Sequence, residues 1–300
     1  MPSRHVARLA LAAACGAGFL WGTGALVVNV LIARHGFTPE NISFWRFVVG
    51  AVVLLAVFGR RSLWPAVRVQ LPLLLMAGSC MAMYVLCWFL GIERIGAAVP
   101  TLIALCLPPV LVTMVALLRG QERLDLQLLV VLAAALGGTV LIVLRHGGAG
   151  DASSDGAMFA GVAFSVASAM LYAGFTLVSG RLSQSLGAGP AAACLTLVAA
   201  VVMGLSGLYR PLAWPADVPP QAWFLYLGVV TAALALLAFS WGAARLSPTA
   251  LTVATLVEPL TAVLLAAWLL GEQLGPAQWI GAALLLGSIW GLSQRIVPHA

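Results

Sequence analysis

The sequence predicts an all-α membrane protein, with ten transmembrane helices forming two inverted five-helix repeats around a central cavity. Three observations carry that prediction. First, 62% of the 300 residues are hydrophobic and 8% are charged, and the mean hydropathy is +1.07. Too little polar surface is left to cover a soluble globule. Second, the apolar runs are mostly long enough to cross ~30 Å of hydrocarbon as helices. Third, the chain repeats itself. The spacing from Leu107-Pro108-Pro109 to Glu122, in Leu118-Arg119-Gly120-Gln121-Glu122, equals that from Val257-Glu258-Pro259 to Glu272, in Leu270-Gly271-Glu272-Gln273-Leu274. The register then pairs Ala133 with Ala283 and Gly137 with Gly287.

Each span is bounded by arginines or breakers. The first, 9–33, follows Arg4 and Arg8. Its Ala12-Ala13-Ala14-Cys15 has the outline of a leader peptide, but the run continues to about Ala33, too long for a leader core, and reads as uncleaved. The second, 41–59, lies between Thr38-Pro39 and Arg60-Arg61-Ser62. The third, 70–91, lies between Arg68 and Arg94; the fourth, 96–118, stops at Arg119; the fifth, 125–145, stops at Arg145. Arg145 to Gly156 is the most polar stretch, and it divides the chain into two domains, 1–150 and 151–300. The sixth, 157–180, ends at Arg181, and the seventh, 190–209, at Arg210. The eighth, 221–244, lies between Val218-Pro219-Pro220 and Arg245, and 248–270 and 276–296 complete the set.

All fifteen basic residues are arginines. They stand singly or in pairs at span ends, unlike the patch that nucleic acid requires. With the N-terminus in the cytoplasm, the inner side collects Arg4, Arg8, Arg60, Arg61, Arg68, Arg119, Arg123, Arg181, Arg245 and Arg295. The outer side holds only Arg34, Arg94, Arg145 and Arg210. This positive-inside bias predicts a protein of the inner (plasma) membrane with both termini cytoplasmic. Five spans per half is an odd number, so the second half enters the bilayer from the opposite side. The duplication is therefore inverted about an axis in the membrane plane. Such halves permit two states of similar energy, one open to each face, as a secondary transporter needs. Lipid and a small-molecule substrate are its expected partners, and one chain suffices.

Several polar and aromatic groups sit at helical spacing. Ser165, Ser168, Tyr172, Thr176 and Ser179 share one face of the sixth span, as cavity lining or as hydroxyl packing between helices. Met81, Tyr84 and Trp88 share a face of the third. That thioether and aromatic surface suits ring-bearing side chains and can hold an ammonium group; the alternative is an ordinary packed stripe, or for Trp88 an interfacial belt. Glu258 is the one acid placed well inside a span, so a cavity, a substrate ammonium, a proton or a neighbouring helix must satisfy it. Pro259 beside it removes a backbone donor. Arg46, near the outer end of the second span, either snorkels to the interface or pairs with an acid in an outer gate. Glu122 and Glu272 cap helices or pair in gates on opposite faces. Asn29 reads as a polar bond between helices. Gly18 with Gly22, and Gly287 with Gly291, permit close helix approach; the second pair packs within the chain or supports a dimer.

With Gly18-Phe19-Leu20-Trp21-Gly22 in the first span, its counterpart around Ala169 to Ala173 in the sixth, and the paired Pro–Glu segments, the chain resembles the EamA-type branch of the drug/metabolite transporter superfamily. The resemblance aligns Trp21 with Tyr172. It implies ten helices around a central cavity, with the fifth and tenth peripheral, and movement of small metabolites, often outward. Amino-acid exporters, including aromatic amino acid exporters, are among its members. Distant sugar-phosphate carriers are expected to hold phosphate with Lys or Arg in the cavity. This chain has no Lys and one intramembrane Arg, which argues against a phosphorylated substrate.

The expected substrate is thus a small zwitterion, foremost an amino acid. Trp21, Met81, Tyr84, Trp88, Ser168, Tyr172, Thr176 and Trp241 are the expected lining. Glu258 meets the ammonium, and helix N-terminal amides or the hydroxyls of Thr252 and Thr255 meet the carboxylate. A proton-coupled carrier of drugs or cationic metabolites, a vitamin importer and a non-transporting scaffold are the rival readings. No enzyme activity, nucleotide site, metal or cofactor is expected. His5, His35, His146 and His299 lie in connectors or termini, no phosphate-binding Gly-rich loop with Lys occurs, and the five cysteines read as small hydrophobes inside apolar runs.

Overall fold

The computed structural model describes residues 4–59, 64–95, 98–143, 155–270 and 274–296, and these contain helices and connectors with no strand. In order, the spans are Arg4–His35, Pro39–Phe58, Trp64–Ile95, Ala98–Leu118, Leu126–Val143, Asp155–Leu186 and Ala188–Gly204, then Pro220–Ala243, Pro248–Leu269 and Pro276–Ile296. Among the described residues, nine are long and apolar enough to cross a bilayer. The tenth carries Gln278, Gln294 and Arg295 on a helix of 21 residues and packs along the fifth.

Local chemistry sets the starts. Thr38 accepts a hydrogen bond from the Asn41 amide, with Pro39 in the first turn. Ser247 does the same for Ala250 ahead of Pro248, and Asp125 accepts from the Leu128 amide at 2.8 Å. A side-chain acceptor at the N-cap followed by proline is a strong helix start. The first, third and sixth helices run to 32 residues each, or about 48 Å at 1.5 Å per residue. They outreach the hydrocarbon and extend past the apolar runs that the sequence marks, because a helix continues through polar residues once its ladder is formed.

The packing is two-fold. The first helix lies against the eighth and ninth, and the sixth lies against the third and fourth; the second faces the seventh, and the fifth faces the tenth. The third also meets the seventh, as the eighth meets the second. Gly78 packs on Val198, and Gly228 packs on Val49 in the matching place. Ala10 and Ala14, early in the first helix, and Gly180, late in the sixth, all pack at Gly242–Ala243, the end of the eighth. The first and sixth helices therefore run in opposite directions, and the repeats are inverted. The fifth and tenth stand at the periphery.

The two repeats differ in regularity. Leu227–Leu234 in the eighth helix is a π-helical stretch, whereas the third helix is α-helical throughout. The ninth breaks at Leu256, between Pro248–Thr255 and Val257–Leu270. Pro259 explains the break, since it lacks the amide that would bond the Thr255 carbonyl and crowds that carbonyl. Pro108 and Pro109 lie within one continuous helix in the first repeat.

Candidate functional site

The irregular stretches meet the first helix at the centre. The Trp21 indole N–H donates to the Thr231 carbonyl in the π stretch at 3.0 Å. Gly18 and Gly22 let the ninth helix come close on the other side, where a Cβ on Gly22 would stand 2.5 Å from the Glu258 carbonyl oxygen. From Trp21 a chain of rings crosses the molecule. Trp21 meets Phe239 at 5.5 Å, Phe239 stacks on Phe175 at 5.3 Å, and Phe175 contacts Tyr172 at 6.2 Å, which meets Tyr84 edge-on at 5.2 Å. The Ser168 hydroxyl donates to the Tyr84 carbonyl at 2.7 Å and ties the sixth helix to the third.

Between these elements lies a hollow of about 20 Å³, lined by Trp21, Arg46, Phe47, Met81, Tyr84, Thr231, Ala232 and Leu236. Such a space admits about one water, far below the ~300–1,000 Å³ of small-molecule sites. The expected cavity is therefore contracted in this conformation. On the side that holds residues 205–219, a second apolar cluster of Val27, Leu31, Ile42, Phe224 and Leu227 closes the bundle. The segment is sewn to the second helix, with Asn41 donating to the Ala213 carbonyl at 3.0 Å and Trp45 to the Leu212 carbonyl at 3.3 Å. Arg210 reaches the buried Glu40 at 3.4 Å and Glu93 at 3.5 Å.

At the opposite end Arg295 pairs with Glu122 at 3.4 Å and with Asp125, joining the tenth helix to the fifth. The Leu128 amide and then the Arg295 guanidinium hold the Asp125 carboxyl below its usual range. Arg8 lies beside Ser293 and Gln294 at this end, so both ends of the described chain emerge on one face.

Arg46 is the main departure from the sequence reading. Among the described residues it has no carboxylate within 4 Å, neither snorkels nor forms a gate pair, and lines the hollow. Its Nε is sealed from solvent without a hydrogen-bond partner. The guanidinium lies 5.0 Å from the Phe47 ring. The reason is packing: the Arg46 carbonyl faces Gly228, which locks the second helix against the π stretch. Glu258 is half-buried and likewise has no hydrogen bond or ion pair among the described residues. Arg46 and Tyr84 line one hollow with Trp21, and the Glu258 backbone packs on the neighbouring Gly22. An arginine and a carboxyl group, neither paired within the described residues, thus stand near the centre, where a charged side chain costs ~2.5–3.5 kcal/mol on insertion scales if nothing meets it.

Trp21, Met81 and Tyr84 line the hollow, and Tyr172 stands next to it with its hydroxyl 3.2 Å from Thr255 Oγ1. Several other expected lining residues stand elsewhere. Trp88 donates to Thr101 at 3.2 Å, and Trp241 lies under Arg245 at 4.1 Å. Thr176, Thr252 and Thr255 donate to carbonyls of their own helices, as do Ser165 and Ser179. Short hydroxyls reach the preceding turn more easily than a neighbour. Thr252 and Thr255 are thereby occupied, and the carboxylate role expected of them has no free donor. Asn29 is exposed. Gly291 packs on Val131 within the chain, while Gly287 faces open space. Glu272 lies outside the described residues. Phe47, Thr231 and Leu236 join the lining without a sequence signal beyond a lone threonine in an apolar run. The described residues contain no group of three His, Cys, Asp or Glu spaced for a metal.

Helices in duplicate, inverted in a bilayer around a charged and aromatic centre, define a multi-pass membrane transporter. The sequence profile of the EamA-like transporter family matches twice, over residues 8–144 and 159–294, and the chain belongs to that family. A relative from Bacillus subtilis (strain 168), "Uncharacterized transporter YwfM", is 29% identical over 286 residues, covering 90% of this chain and 88% of that protein. One crystal structure superposes with a TM-score of 0.80 over 96% of this chain and 98% of that one, at 21% identity, which supports the fold.

Proposed function

We propose that the protein exports small, unphosphorylated zwitterionic metabolites, amino acids with aromatic or apolar side chains foremost, by alternating access. The observation that carries this reading is the contracted hollow where helices of both repeats meet, lined by Trp21, Met81 and Tyr84 with Glu258 near. Closure over the hollow on the side of residues 205–219 suits a state from which a face opens in turn. The rings offer apolar contact to a side chain and a face to an ammonium group, and Glu258 offers that ammonium a counter-charge. A purely cationic substrate is disfavoured, because Arg46 lines the same hollow. The arginine bias supports the inner membrane, with both termini cytoplasmic.

The test is counterflow in proteoliposomes of purified protein with labelled amino acids, organic cations and vitamins. Phenylalanine or leucine is expected to exchange at millimolar concentration or below. Exchange confined to cations or vitamins, or to no solute at all, removes this reading.

A further inference from the structure

We infer that Arg46 is the anchor for a substrate carboxylate, so the transported class must carry one. This role deepens the transport reading and rests on it. Arg46 stands about 10 Å into the second helix from Pro39, at 1.5 Å per residue. It lines the hollow with no protein acceptor for its Nε among the described residues.

Three further observations point to a ligand. The side chain is held in place, since its own backbone carbonyl packs on Gly228 and its guanidinium rests on the Phe47 ring. The unpartnered Nε belongs to a planar fork of donors, which matches the two oxygens of a carboxylate. Glu258 also has no ion pair among the described residues, and its backbone packs on Gly22, next to Trp21 of the lining, so a group able to answer an ammonium stands at the same centre.

The experiment compares phenylalanine, its decarboxylated amine phenethylamine and its ammonium-free analogue phenylpyruvate, by counterflow and by ligand-induced thermal shift. Wild type is expected to favour phenylalanine over the amine at least ~100-fold, the range expected when a charged donor in a dry site is left unanswered. Arg46→Gln should lower phenylalanine exchange at least ~30-fold, leave the amine unchanged or improved, and abolish the phenylalanine thermal shift. Arg46→Lys should recover part of the exchange. Equal loss for all three compounds, or no loss, overturns the assignment, as does a wild type that neither exchanges nor is stabilised by either carboxylate. If phenylpyruvate exchanges, phenylalanine does not, and Arg46→Gln abolishes that exchange, the anchor stands and the zwitterion reading fails.

Discussion

Glu258 and Gly22 meet at one point of the molecule and make opposite demands. The carboxyl needs room and a partner, while the glycine lets the Glu258 backbone come close. Glu258→Gln keeps the shape and removes the charge. It should insert and fold normally and lower counterflow at least ~10-fold, equivalent to ~1.4 kcal/mol or more; unchanged flux across several pH values would remove Glu258 from the mechanism. Gly22→Val places atoms where Thr261 Cβ would lie 2.6 Å away. Overpacking of this kind costs ~1–3 kcal/mol, read as a lower melting temperature in detergent. Gly16→Val is the control, because nothing lies within 4 Å of a Cβ there. Equal effects at the two positions would contradict the packing described.

At the scale of elements, the second repeat carries the irregular helices. A π stretch leaves backbone groups free to bond elsewhere, and Trp21 uses one of them. The break before Pro259 gives the ninth helix a joint at the level of Glu258. Pro259→Ala restores the missing amide and should straighten that joint. We expect the melting temperature to hold or rise and exchange to slow several-fold; faster exchange would show that the joint is not used. Pro259 is legible as a disturbance from the sequence alone. The π stretch is not, because hydrogen-bond register inside an apolar helix depends on what packs against it.

For the whole molecule, the ends of the repeats are tied across the axis by charge. Asp125 joins the fifth helix to Arg295 of the tenth, and its carboxyl is held below the ordinary value of 3.8. A depressed carboxyl stabilises the fold above its unfolded value, and the contribution disappears as pH falls through the folded value. Asp125→Asn should therefore melt lower than wild type near neutral pH, with the difference closing below pH 3.8. A difference that widens on acidification would reverse the sign and refute the pairing.

The ten apolar runs and their duplication were legible in the sequence alone, and an odd number of runs per half implies inversion; the structure has ten helical spans in that order, nine of them, among the described residues, long and apolar enough to cross a bilayer. Helical spacing put Met81 and Tyr84 on one face, and the structure places both at the hollow with Trp21, but the same spacing named Trp88 and Thr176, which bond elsewhere. Only the tertiary structure decided where Arg46 points, that Thr252 and Thr255 are consumed by their own helix, and that Phe175 and Phe239 bridge the centre. Spacing fixes which residues share a face. Which face meets which neighbour, and at what depth, is settled by close contacts such as Gly228 against the second helix, and these exist only once the halves have packed.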